Sequence, residues 1–278
     1  MLKQRIFTAL AMAALFLSAV AFLPLLGLAI AFALVVALGS WEWALMAGWR
    51  HLIARLLYVL SIVAAMLALY LYCDLGDRPL REQVQPILGL ACLWWSFALL
   101  WVKSYPTSAV FWGSVLARSV MGFLIMVLAW VAAVYLLSFP RGGLLMVCMI
   151  LIVATADIGA YFSGKRFGRH KLAEDVSPAK TWEGFWGGML AVLLLALLFW
   201  SLLPPQMAHV SLAAVVAVTL ATALASVVGD LTVSMVKRHS KVKDSGSLLP
   251  GHGGILDRLD SICAAAPVFV LGLLLAGW

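Results

Sequence analysis

Between residues 241 and 261, a chain that is 65% hydrophobic and only 11% charged places two lysines, an arginine, three aspartates, a histidine and four glycines. The run reads KVKDSGSLLPGHGGILDRLDS. Just before it, Asp230 ends an apolar stretch, and Ser234, Lys237 and Lys241 follow at helical spacing on one face. A helix expected to start near Ile255 puts Asp257 and Asp260 on one side of its first turns. Backbone N–H groups at such a start, beside Gly253 and Gly254 with no side chains, let a phosphate approach closely. Carboxylates among cations suit Mg²⁺, which takes one or two Asp side chains and completes its shell with water and substrate phosphates. The chemistry indicated is the handling of a polyphosphate with its metal. Each residue alone also has a structural reading. Asp257 and Asp260 would complement the dipole of a first helical turn, and Lys237 and Arg238 would sit at lipid headgroups. Function is favoured because Asp230, Asp257 and Asp260 come together near a membrane boundary, where acidic residues are costly without partners.

The elements that carry these residues follow from composition. An apolar share of 65% lies above the roughly 45–50% of soluble domains, and the mean hydropathy is +1.07. The apolar runs are long and continuous rather than short alternations, so they read as helices and not as barrel strands. At about 20 residues per span, nine are predicted, covering about Ile6–Phe22, Pro24–Gly39, His51–Tyr72, Pro86–Val102, Val115–Leu137, Gly143–Phe162, Gly184–Leu203, His209–Gly229 and Ile255–Trp278. The expected fold class is therefore all-α, a polytopic membrane protein with about nine transmembrane helices. Residues 1–140 hold spans without a recognisable motif, and residues 141–278 hold the catalytic region, the two forming one integrated membrane domain.

Basic residues orient the bundle. With the N-terminus in the cytoplasm, all of the 19 lysines and arginines except Arg78, Arg81 and Arg141 fall on the cytoplasmic side. The active site is expected on that face. Lys3, Arg5 and the Ala19-Val20-Ala21 run have features of a secretory signal, but apolar character continues to Gly39, so an uncleaved first helix is expected. The net charge of +7 is spread over membrane loops, which suits anionic lipid surfaces and nucleotides and gives no nucleic-acid footprint. Cys73, Cys92, Cys148 and Cys263 form no C-x-x-C pair, so neither a disulfide framework nor a zinc site is expected. Trp41, Trp43, Trp49, Trp94, Trp95 and Trp101 read as an interfacial belt.

A second polar region, DIGAYFSGKRFGRHKLAEDVSPAKTWEG, runs from Asp157 to Gly184 and maps to the same face. The stretch SMVKRHSKVKDSGSLLPGHGGILDRLD, Ser234 to Asp260, resembles the signature of phosphatidate cytidylyltransferases, also called CDP-diacylglycerol synthases. The Ser, Lys-Arg, Lys-Asp, His-Gly-Gly and Asp-Arg-x-Asp elements are all in register. In the upstream region Asp157, Tyr161, Gly164, Lys165, Ser177, Pro178, Lys180, Thr181 and Glu183 stand in matching places.

The resemblance implies transfer of a cytidylyl group from CTP to phosphatidic acid in a bacterial inner membrane, giving CDP-diacylglycerol and pyrophosphate with Mg²⁺. On that reading Asp230, Asp257 and Asp260 bind the metal. Lys237, Arg238, Lys243 and Arg258 clamp phosphates, with His252 and the Gly253-Gly254 backbone beside them. Lys165 and Lys180 help hold CTP or the lipid phosphate, with Tyr161 in the same stretch and Asp157 and Glu183 orienting the lysines. Asp244 is a further ligand or a partner to Lys243. Ser177, Thr181 and Ser234 hydrogen-bond phosphate or cap a helix. Membrane lipids are partners, and a homodimer is left open. The rival readings are a CTP-dependent lipid kinase, which would move the γ-phosphate instead, and a transporter of an anionic solute. Transporters place charge near the midplane on broken helices, often in paired repeats. Here the charge gathers at one face.

Overall fold

Hydrocarbon offers no water to backbone N–H and C=O groups, so long apolar runs satisfy them internally as helices. The computed structural model of the protein, which describes residues 2–76, 79–204, 210–248 and 253–278, with side chains from Phe7 onward except Ala9, is built in this way. The elements are α1 (Leu2–Phe22), α2 (Leu25–Ala47), α3 (Leu52–Tyr72), α4 (Arg81–Lys103), the short α5 (Ala109–Trp112), α6 (Val115–Leu137), α7 (Gly142–Phe167), β1 (Lys171–Ala173), β2 (Ser177–Thr181), α8 (Trp182–Ser201), α9 (Leu212–His239) and α10 (Leu256–Leu275). Among the described residues, 8 helices (α2–α4 and α6–α10) are long and apolar enough to cross a membrane, and α1 carries a shorter apolar stretch, Leu10–Phe22.

Local chemistry sets several helix ends. Ser114, Thr181 and Ser211 cap α6, α8 and α9, each side chain accepting from an N–H three residues on. Gly48 ends α2 in the left-handed region at φ 111°, and Trp49 N–H closes back on Ala44 O. Burial then sorts the helices. The most apolar stretch of α6 is 72% buried and that of α10 61%, whereas α3 buries only 17%. Thus α6 and α10 form the centre, and α3 shows Leu52, Ile53, Leu56, Leu57 and Leu60 outward, as a lipid-facing helix would.

Three sequence expectations change. α2 runs past Gly39 to Ala47, and α9 past Gly229 to His239, so Asp230 lies inside a helix rather than at its end. An antiparallel hairpin, β1 with β2, links α7 to α8; it was not expected. The tryptophans do not form a simple belt. Trp43 is fully buried and donates to Arg118 O at 2.8 Å, Trp49 donates to Ser119 Oγ at 2.8 Å, and Trp94 and Trp95 are buried. The N–H groups of Trp43 and Trp49 and the ring areas of all four lock helices together.

α7 and α8 approach closely because small residues face one another. A Cβ at Gly159 would meet Gly188 Cα at 3.0 Å, and one at Gly188 would meet Ala156 O at 2.6 Å. Such stripes let backbones touch where lipid supplies no hydrophobic drive. Gly188→Ala should therefore push the pair apart and cost about 1–3 kcal/mol of stability. Thermal unfolding of the purified protein in detergent checks this; an unchanged midpoint would mean that α7 shifts without cost.

Candidate active site

Because successive spanning helices reverse direction, the C-terminal ends of α2, α7 and α9 meet the N-terminal ends of α8 and α10 at one end of the bundle. The charged motifs gather there. On α9, Asp230 Oδ2 lies 2.6 Å from Lys180 Nζ, and Asp230 Oδ1 accepts from Ser234 Oγ at 3.1 Å. Lys180 arrives on β2. Asp157 on α7 is within electrostatic range of both Lys180 and Asp230. Asp260, buried on α10, is within electrostatic range of Asp230, Lys237 and Lys180, and its Oδ1 accepts from Ser261 N at 2.8 Å. α10 can come this near because Gly229 stands where any Cβ would run into the Asp260 carbonyl. Asp157, Asp230, Asp260, Lys180 and Lys237 thus form one charge cluster carried by three helices, α7, α9 and α10, and by β2.

Asp257 is engaged differently. Its Oδ1 lies 2.7 Å from Lys237 Nζ, and its Oδ2 accepts from Ser245 N at 3.0 Å and Gly254 N at 2.9 Å. The Lys237 and Asp257 side chains are only 10% and 8% exposed. This pair ties α9 to the start of α10 and to the loop between them. Lys237, expected to clamp phosphate, clamps a carboxylate instead.

The amides at the start of α10, expected to receive phosphate beside Gly253 and Gly254, already have protein acceptors. Gly254 N donates to Asp257, while Ile255 N and Leu256 N donate to the two oxygens of Glu42 at 3.1 and 3.0 Å. Gly253 is needed for its left-handed backbone, φ 81°. Glu42, only 3% exposed on α2, has no counterpart among the sequence candidates. One signal pointed to it: a lone carboxylate inside an apolar run, between Trp41 and Trp43. An ionisable group in such a run is a functional candidate by default.

Other expected roles also change. Glu183 does not orient Lys165 or Lys180. It accepts from Arg169 N and His170 N, and His170 Nδ1 lies 2.6 Å from Glu183 Oε1, so it pins the base of the hairpin. Arg238 Nε donates to Val176 O at 3.1 Å and fastens the hairpin tip to α9. Thr181 caps α8 by accepting from Gly184 N at 3.1 Å. Ser177 lies in β2, half-buried. Lys165, Lys243, Asp244 and Arg258 are exposed, and Lys165 lies 5.8 Å from the Tyr161 ring centroid. His252 falls outside the described residues.

Between α7, α8 and the hairpin is a cavity of about 370 Å³. Asp157, Tyr161, Lys165, Lys180 and Thr181 line its polar part, and Leu172, Phe185, Met189 and Val227 its apolar part. It is an amphipathic chamber beside the charge cluster.

A predominantly helical, polytopic membrane protein with an ion-paired charge cluster and an amphipathic cavity at one end of its bundle is the class that fold and site define. Within that class the chain belongs to the cytidylyltransferase family, whose pattern it matches over residues 3–276. It is 44% identical to the phosphatidate cytidylyltransferase of Pseudomonas aeruginosa over 278 residues, 100% of this chain and 99% of that protein. It is 39% identical to the Haemophilus influenzae phosphatidate cytidylyltransferase, covering 97% of each chain. With the Bacillus subtilis phosphatidate cytidylyltransferase it shares 43% identity over 125 residues, 44% of this chain and 45% of that one.

The donor set bears on the expected Mg²⁺. Among the described residues no three His, Cys, Asp or Glu side chains gather as a ready metal cage. Asp230 and Asp260 nevertheless supply oxygen donors in one cluster, and Mg²⁺ commonly needs only one or two carboxylates with water and phosphate. The residues present therefore fit Mg²⁺ as a shared protein–substrate site, with Asp257 already committed to Lys237 and two amides.

Proposed function

We propose that this chain transfers a cytidylyl group from CTP to phosphatidic acid, releasing pyrophosphate, at the cytoplasmic face of a bacterial inner membrane. The observation that carries the reading is the Lys180–Asp230 pair beside a cavity whose remaining walls are largely apolar and come mostly from the membrane-crossing helices α7 and α8. A lipid phosphate suits the lysine end and its glycerol and chains suit the apolar walls, while the part-exposed Lys180 and Asp230 face the nucleotide side of the cluster. Family membership and the names of the full-length relatives agree with it.

The chemistry asks little of a general base. A phosphate monoester has a second pKa of about 6, so the lipid phosphate is largely dianionic at neutral pH. Its oxygen attacks the α-phosphorus of CTP, the bond from that phosphorus to the bridging oxygen of pyrophosphate breaks, and the leaving group departs as an anion. The obstacle is the meeting of anions, which fixed cations relieve. Lys180 and Lys165 hold the lipid phosphate at the cavity, and the exposed Lys243 and Arg258 take the nucleotide phosphates. Asp157 and Asp230 keep Lys180 in place. Asp230 and Asp260 would hold Mg²⁺, which when bound neutralises nucleotide phosphate charge.

The test is purified protein given CTP, Mg²⁺ and phosphatidic acid, each omitted in turn, with label on the cytidine or on the γ-phosphate. Cytidine label in the lipid with pyrophosphate release is expected. γ-Label in the lipid would make the protein a kinase, and label in neither would overturn the enzyme reading. Lys243→Ala should raise the KM for CTP about tenfold, in keeping with loss of a charge-assisted contact, at an unchanged melting temperature. An unaltered KM would return Lys243 to the charges that only set topology.

A further inference from the structure

The two halves of the chain are joined at one buried carboxylate. Glu42 accepts from Ser245 Oγ at 2.8 Å, Ile255 N at 3.1 Å and Leu256 N at 3.0 Å, contacts that span more than 200 residues of sequence. Ser245 is shared, since its N–H goes to Asp257 and its hydroxyl to Glu42. The two carboxylates thus divide five neighbouring donor groups between them, and neither can move without disturbing the other. Gly246 and Gly254 admit the Glu42 carboxylate, because a Cβ at either position would overlap it. One turn further along α2, Met46 O accepts from Ser240 Oγ at 2.8 Å and also from Arg118 Nη1. One face of α2 therefore grips both ends of the segment that joins α9 to α10. Glu42 is not among the residues lining the cavity between α7 and α8.

We propose that Glu42 is a positioning residue for the transfer reaction: through it, α2 sets the place of residues 244–246 and 254–256 and of the first turn of α10, and so of Asp257 and Asp260. A buried carboxylate is stable only when its hydrogen bonds are satisfied. The donors facing Glu42 are thus held to one geometry, and the loop cannot drift without exposing the charge. This places an element of the motif-free N-terminal half inside the catalytic arrangement. The assignment rests on the cytidylyl transfer proposed above.

The test uses full-length protein in detergent with Glu42→Gln and, separately, Ser245→Ala. Glutamine keeps the size but turns an NH₂ toward a donor, whereas Ser245→Ala leaves both backbone bonds and the charge in place. Loss of a hydrogen bond to a charged group predicts a kcat lowered at least about tenfold in Glu42→Gln and a smaller drop in Ser245→Ala. The KM for phosphatidic acid should stay within about twofold, as expected when substrate contacts are retained. Amide hydrogen exchange should quicken in residues 244–246 and 254–256 but not in α7 or α8. Parent-like kcat and exchange in both variants would overturn the proposal, and so would loosening that spreads equally through α7 and α8. If Glu42→Gln fails to fold, Ser245→Ala decides on the same two readings. A parent protein that lacks cytidylyl transfer would instead overturn the function itself, while the exchange comparison would still report whether Glu42 holds the segment.

Discussion

Asp260→Asn should slow cytidylyl transfer by at least on the order of 100-fold, about 2.7 kcal/mol of activation free energy, and Asp230→Asn should do the same. Both aspartates belong to one cluster with Lys180 and Lys237. They are brought together by the close approach of α10 to Gly229. Asparagine preserves size and a carbonyl acceptor but removes the charge that a divalent cation requires. Each variant should therefore need more Mg²⁺ for half-maximal turnover, and raised Mg²⁺ should partly restore the milder one. A role confined to the helix dipole predicts something else, a stability loss of about 0.3–1 kcal/mol with turnover nearly intact. Melting temperature and Mg²⁺-dependent turnover, measured on the same two variants, separate these outcomes. Near-parent turnover in both would remove the metal assignment.

The second large effect is expected at Lys237, and it is first an effect on stability. Lys237→Met keeps much of the stem but strands the Asp257 carboxylate, whose partners are Lys237 and two loop amides. Breaking one side of a buried ion pair typically costs about 3–5 kcal/mol. This pair, with side chains only 10% and 8% exposed, falls in that class. Turnover should fall with it, because the same carboxylate organises the loop before α10. Asp257→Asn should recover part of the loss when combined with Lys237→Met, since it removes the stranded charge. The coupling in that cycle is read as the departure from additivity. A Lys237→Met variant with parent-like unfolding and greatly reduced turnover would show instead that Lys237 serves the substrate directly.

Helix α2 illustrates why some of the site escaped a linear reading. Its apolar run is obvious, yet Glu42 is one carboxylate among 23 residues, and its meaning lies in donors far along the chain. The hairpin between α7 and α8 escaped for another reason. β1 has 3 residues and β2 has 5, too few for alternation to stand out. It is held instead by Glu183, by Arg238 and by backbone pairing.

By itself the sequence determined that this is a polytopic helical membrane protein, where most spans fall, and which two polar regions share a face. Those properties are local, since a long apolar run must close its own hydrogen bonds in lipid whatever lies beside it. Val115–Leu137 accordingly agrees to the residue. Only the tertiary structure decided which charge meets which. Lys180 reaches Asp230 rather than standing ready for phosphate alone, Lys237 reaches Asp257, and Glu42 with Asp257 fills the amides before α10. The physical reason is that a buried charge takes whichever partner satisfies its hydrogen bonds. That partner is chosen by how closely helices distant in sequence can pack, down to the missing Cβ atoms of Gly229, Gly246 and Gly254.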